Sequence, residues 1–179
     1  MQIPSINGAA MDAPTCEMSL AELLLHALVI ELEATERYKQ LADMMEQTGN
    51  RKVAKIFAKM SAIEATHAEK IDAEIKGRKL PMLTPSQYLW PGLEAPENTD
   101  SARLFHLMTP CQAMSLALDN EKRAFEFFEN VVGDCTDEQV REMAAEFAVE
   151  EEQHVAWVKE WLAEEQASAL NPEGESPQS

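Results

Sequence analysis

The chain has 179 residues and sets 15 Lys and Arg against 32 Asp and Glu, a formal net charge of −17. That length suits one domain with a sizeable core. The charge repels nucleic acid and anionic membrane, which excludes both as expected partners. No apolar run is long enough to span a bilayer, and the N-terminus lacks the basic-then-apolar order of a signal peptide.

Glycine is sparse at 6 residues, while Ala, Glu, Leu, Lys and Met are plentiful, a bias towards helix. Residues 1–18, with Pro4, Gly8 and Pro14, read as an irregular arm. Ser19 with Glu22 forms a capping box that opens a first helix, which runs to about Gln47 and stops at Gly49. Asn50 caps a second helix that runs to about Lys76 and ends at Gly77. The link from Gly77 to Thr109 carries Pro81, Pro85, Pro91 and Pro96, with a short helix expected over 100–107. A link of that length has a role in a bundle with a crossover, where it returns the chain from one end to the other. Thr109-Pro110 opens a third helix and Gly133 ends it; Thr136 with Gln139 caps a fourth, running to about Gln166. The expectation is an all-α, antiparallel four-helix bundle over 19–166, with a crossover at about 77–109 and a disordered tail at 167–179.

The three cysteines, Cys16, Cys111 and Cys135, are odd in number and form no CxxC pair. They read as reduced thiols in a cytoplasmic chain, without a disulfide framework or a cysteine zinc site.

Alternating steps of four and three trace the stripe each helix buries. The first gives Leu20, Leu24, Ala27, Glu31, Ala34, Tyr38, Leu41 and Met45. The second gives Val53, Phe57, Met60, Glu64, His67 and Ile71. The third gives Met114, Leu118, Glu121, Phe125, Phe128 and Val132, and the fourth Val140, Ala144, Phe147, Glu151, His154, Val158 and Trp161. Each stripe is apolar except near its middle, where it holds one glutamate; in the second and fourth a histidine follows one turn later. A buried carboxylate must be paired, protonated or metal-bound, and these stripes contain no Lys or Arg. Two divalent cations would cancel four carboxylates and use two imidazoles. Glu31, Glu64, His67, Glu121, Glu151 and His154 are therefore the candidate metal ligands. Such a donor set suits iron or manganese better than a thiolate-seeking metal, with zinc a further candidate. Two lone Glu and two Glu-x-x-His pairs are the set used in ferritin-like di-iron and di-manganese bundles. Spacing also suggests an internal repeat, since Glu31 to Glu64 is 33 residues and Glu121 to Glu151 is 30.

Glu33, Asp119, Glu150 and Glu152 flank these positions off the stripe and read as solvated. His26 and His106 lack partners at metal spacing, which assigns them surface or ordinary hydrogen-bonding roles. Tyr38, two turns after Glu31, offers either core packing or a hydroxyl for a ligand carboxylate.

At Glu31-Leu32-Glu33-Ala34-Thr35-Glu36-Arg37-Tyr38 and Glu64-Ala65-Thr66-His67-Ala68 the chain resembles the di-iron domain of the rubrerythrin family, in the ferritin-like superfamily. The resemblance covers roughly 19–165 and implies two iron ions, reaction with peroxide or dioxygen, and a homodimer. It departs from the family in three places. These residues hold none of the paired CxxC motifs of the family's rubredoxin module, so the expected electron donor is a separate rubredoxin-like protein. Ala124 stands where many members carry an additional ligand Glu, and Phe128 stands at the position the repeat relates to Tyr38. Ferroxidase or iron handling, a metal-stabilised bundle without catalysis, and substrate hydroxylation are the alternatives.

Overall fold

The structure is a computed structural model that describes residues 16–82 and 109–170. Four helices make up the bundle: α1 Leu20–Gln47, α2 Arg51–Ile75, α3 Pro110–Asp134 and α4 Glu138–Leu170. The expected crossover helix at 100–107 lies outside the described residues.

Local chemistry sets most helix ends. The Ser19 hydroxyl accepts from the Glu22 backbone while Glu22 reaches back to the Ser19 amide, so two of the amides left unpaired at the start of α1 are satisfied. Thr109 and Gln112 do the same for α3, with Pro110 in the first turn. Asn50 caps α2 by accepting from the Val53 amide at 3.0 Å. Gly49 has φ 85°, the left-handed conformation that lets Asn50 N–H return to Met45 C=O at 2.9 Å and closes α1. A turn this short makes α1 and α2 antiparallel neighbours. The equally short Cys135–Asp137 link does so for α3 and α4.

Four sequence expectations about helix ends and cysteines require correction. The cap of α4 is Asp137, not Thr136: its Oδ1 accepts from the amides of Gln139 at 2.9 Å and Val140 at 3.3 Å. A carboxylate is also favoured at the positive end of a helix dipole. Gly133 does not end α3, which continues to Asp134; Cys135 then takes an extended conformation and bridges to Cys16, whose N–H donates to Asp134 C=O at 3.1 Å. The helix therefore stops where the N-terminal arm pairs with it. Finally, Cys16 and Cys135 form a disulfide, so only Cys111 is a free thiol. The odd count concealed the pair because the partner lies 119 residues away. At its far end α4 also outruns the expected Gln166, reaching Leu170.

The core is two apolar clusters rather than one. The first holds Leu23, Leu24, Ile71, Phe127, Phe128 and Val140, at the end carrying the disulfide. The second holds Tyr38, Leu41, Met45, Phe57, Met60 and Met114, at the other end. Between them lies a layer of buried polar groups. The expected stripe holds on α1, α2 and α4. On α3 the deeper side chain is Phe127, which meets Phe128 edge-on at 5.1 Å, while Phe125 is only partly buried.

Phe57→Ala is expected to cost about 3–5 kcal/mol, because the ring is almost wholly enclosed and leaves a cavity; chemical denaturation measures it. Thiol titration of the unfolded chain is expected to find one reactive thiol, from Cys111, rising to three after reduction.

Candidate metal centre

All six residues named from the helical stripes converge in the polar layer. Glu31, Glu64, Glu121, Glu151 and His154 are buried, and His67 is nearly so, with its side chain 13% exposed. Each lies mid-helix, where the helix's own backbone hydrogen bonds fix the direction of Cα–Cβ. The apolar clusters on either side hold the helices at the spacing that aims these side chains at one another.

His154 Nδ1 faces three carboxylates: Glu121 Oε2 at 3.2 Å, Glu64 Oε1 at 3.3 Å and Glu151 Oε2 at 3.6 Å. His67 Nδ1 faces Glu64 Oε2 at 3.7 Å and Glu31 Oε1 at 3.8 Å. Glu64 therefore turns one oxygen to each histidine, and the two imidazoles stack at 5.3 Å between centroids. Two overlapping donor groups result, Glu64 with His67 and His154, and Glu121 with Glu151 and His154.

These separations fit metal ions. Bonds of roughly 2.1 Å from oxygen and nitrogen donors let two donors of one ion lie up to roughly 4.2 Å apart. Every imidazole–carboxylate distance above falls within that limit. Buried atoms without a hydrogen-bond partner point the same way: Nδ1 of His67 and His154, Oε2 of Glu31 and Oε1 of Glu64. Buried polar atoms are almost always satisfied, so a cluster of unsatisfied lone pairs calls for a positive ion. Among the described residues no Lys or Arg pairs with these carboxylates within 4.0 Å. Arg37 feels Glu121 only at longer range.

In the metal-free protein protons must do the cation's work. Burial, reinforced by Glu151 and Glu64, pushes Glu31 up to about 11. Burial also raises Glu64, and lifts Glu151 to about 8. Burial acts against a charged His154, but Glu121, Glu151 and Glu64 outweigh it and raise the imidazole to about 11. His67 is lowered, chiefly by burial.

Tyr38 is buried with its ring stacked on Phe57 at 6.0 Å, and its hydroxyl has no hydrogen-bond partner. The ring thus packs within the second apolar cluster. His26 is buried with Nδ1 2.7 Å from Glu22 C=O and its ring stacked on Phe127, an ordinary hydrogen-bonding role away from the centre. Glu150, off the stripe and expected in solvent, instead has its Oε2 4.0 Å from His67 Nδ1. Its position one turn before His154 on the same helix was the signal that could have placed it at this layer.

The pH dependence of the metal-free fold follows from these shifts. Glu31, Glu151 and His154 bind protons more tightly folded than unfolded, so their contribution to stability falls as pH rises from about 4.5 through about 8 and on to about 11. His67 acts in the opposite sense, and only below about 6.5. The melting temperature of chelated protein is expected to fall between pH 6 and pH 9, as read by circular dichroism. Metal is expected to flatten that slope and to release protons on binding. Glu31→Gln is expected to raise the metal-free melting temperature at pH 9.

The comparisons with known proteins agree with this geometry. The family model described as Rubrerythrin matches residues 22–162. A crystal structure of an uncharacterized conserved protein from Magnetospirillum magnetotacticum MS-1 superposes with a TM-score of 0.69 at 36% identity, covering 82% of this chain and 95% of that one. No curated protein matches significantly. With a ferritin-like four-helix bundle, a central layer of carboxylates and imidazoles, and a family match across most of its length, the chain belongs to the rubrerythrin family.

Proposed function

We propose that the protein is a non-haem di-iron oxidoreductase that reacts with peroxide or dioxygen and takes its electrons from an external, rubredoxin-like donor. The observation that carries this reading is Glu64, whose two oxygens face two different histidines in one buried layer. A carboxylate so placed would serve as a donor to both ions of a pair.

An iron pair, when bound, supplies two one-electron couples side by side and open coordination positions for a small oxidant. The chain's own residues do the rest. Glu31, Glu64 and His67 would hold one ion, and Glu64, Glu121, Glu151 and His154 the other. The flanking apolar clusters keep bulk water from the layer and strengthen every charge interaction inside it. The Tyr38 hydroxyl, buried and unpartnered, is available to donate to a ligand carboxylate from one side of the site. The position that the repeat relates to Tyr38 is Phe128, which carries no hydroxyl. His67 is the more exposed imidazole, which makes its side the shorter route for a small oxidant.

Among the described residues, no helix is long and apolar enough to cross a membrane. A cytoplasmic setting, expected from the cysteine count, now depends on whether the Cys16–Cys135 bond forms in the cell, since such bonds persist mainly in oxidising compartments. Alkylation of thiols in fresh extracts decides between the two.

Reconstitution with ferrous iron followed by peroxide is expected to give a diferric absorption band promptly, with two irons per chain. Absence of the band in protein carrying two irons overturns the reading. Glu64→Ala is expected to lower the content to one iron or none. The assembly mass is expected to be that of a homodimer; a closed cage would favour iron storage instead.

A further inference from the structure

We propose that Glu150 is a further metal ligand, completing the His67 half of the centre. The inference rests on the two-ion reading above but concerns a residue outside the six.

The two imidazoles are unequally provided for if Glu150 is left out. His154 Nδ1 has three carboxylates within 4.0 Å, from Glu64, Glu121 and Glu151. His67 Nδ1 has Glu31 and Glu64, and its third is Glu150. With Glu150 each half holds one imidazole and three carboxylates, Glu64 being shared. The contact is to Nδ1, the buried ring nitrogen that lacks a hydrogen-bond partner and faces Glu31 and Glu64. A carboxylate oxygen 4.0 Å from that atom lies within the separation that two donors of one ion can span at ordinary bond lengths. Among the described residues, no Lys or Arg pairs with Glu150, so no salt bridge competes for the carboxylate.

Glu150 differs from the other donors in one respect: its side chain is 43% exposed, whereas those of Glu31 and Glu64 are 3% and 2%. It reaches the layer from the solvent side of α4. The position that the sequence repeat relates to it, one residue before Glu64, is Ile63. The repeat therefore supplies no matching carboxylate at the His154 half, and the pseudo-symmetry of the centre is broken at this residue. A solvated carboxylate needs little desolvation to swing between water and an ion. Glu150 thereby makes the His67 half the place where an ion arrives and leaves. The His154 half, enclosed on all sides, keeps its ion.

Calorimetric titration of metal-free protein with Mn2+ or Co2+ tests this without any turnover. The unaltered chain is expected to bind two ions. Glu150→Gln keeps size and hydrogen bonding but removes the charge. It is expected to retain one ion at the original affinity and to weaken the other by at least the roughly 10- to 100-fold that loss of a supporting partner causes. Glu152→Gln, an exposed neighbour off the stripe, is expected to bind as the unaltered chain does. Anomalous diffraction from Glu150→Gln crystals at limiting metal is expected to show density beside His154 and little beside His67. Two ions at unchanged affinity in Glu150→Gln, or equal weakening of both, overturns the proposal while leaving the two-ion centre standing. Failure of the unaltered chain to bind two ions overturns the centre itself and the proposal with it.

Discussion

Four carboxylates and two imidazoles enclosed in one layer of an apolar bundle set the terms for the rest of the structure. Each buried charge would cost several kcal/mol if left alone, and like charges this close repel one another. Burial first, and that repulsion second, make Glu31 and Glu151 hold protons far above the usual carboxylate range in the metal-free state. Metal ions relieve the repulsion with more charge per volume. The same electrostatic burden that weakens the empty bundle becomes binding energy when cations arrive.

The two apolar clusters can be understood as the counterweight to that layer. Rings such as Phe57 and Phe128, with Leu24, Leu41 and Met60, bury large apolar areas above and below it and keep the helices from splaying apart under the repulsion. The disulfide at one end contributes differently. By joining Cys16 to Cys135 across nearly the whole described chain it restricts the unfolded ensemble, a term worth about 4–5 kcal/mol for a loop of this length in the chain-entropy account. It also ties the N-terminal arm to the α3–α4 turn, away from the centre.

Within the layer the histidines are not equivalent, and this inequality has functional weight. His154 is enclosed and its ring stacks with those of His67 and Trp157. His67 faces the half-exposed Glu150 and stands nearer to solvent. A repeated sequence thus produces a centre with a protected half and an accessible half. The asymmetry comes from substituents around the ligands, Glu150 against Ile63 and Tyr38 against Phe128, rather than from the ligands themselves.

Much of this was legible in the residues. Capping chemistry is local, so Ser19–Glu22, Asn50 and Thr109–Pro110 gave their helix starts directly. A glutamate in the middle of an otherwise apolar stripe conflicts with its surroundings, and four such conflicts resolve only if they meet. By itself, then, the sequence determined the helices, the buried face of three of them and the six converging side chains, because short-range hydrogen bonding and 3.6-residue periodicity govern those features. Other features depend on what lies across the helix interface, which no spacing reports. The choice of Phe127 over Phe125 is set by how α3 is rotated against its neighbours. The pairing of Cys16 with Cys135 needs the arm and a helix end to meet in space. Glu150 lies off the stripe of its own helix, and only the packing of α4 beside α2 brings its carboxylate to His67. Tertiary structure decided these because each is a distance between segments remote in the chain, fixed by packing rather than by local preference.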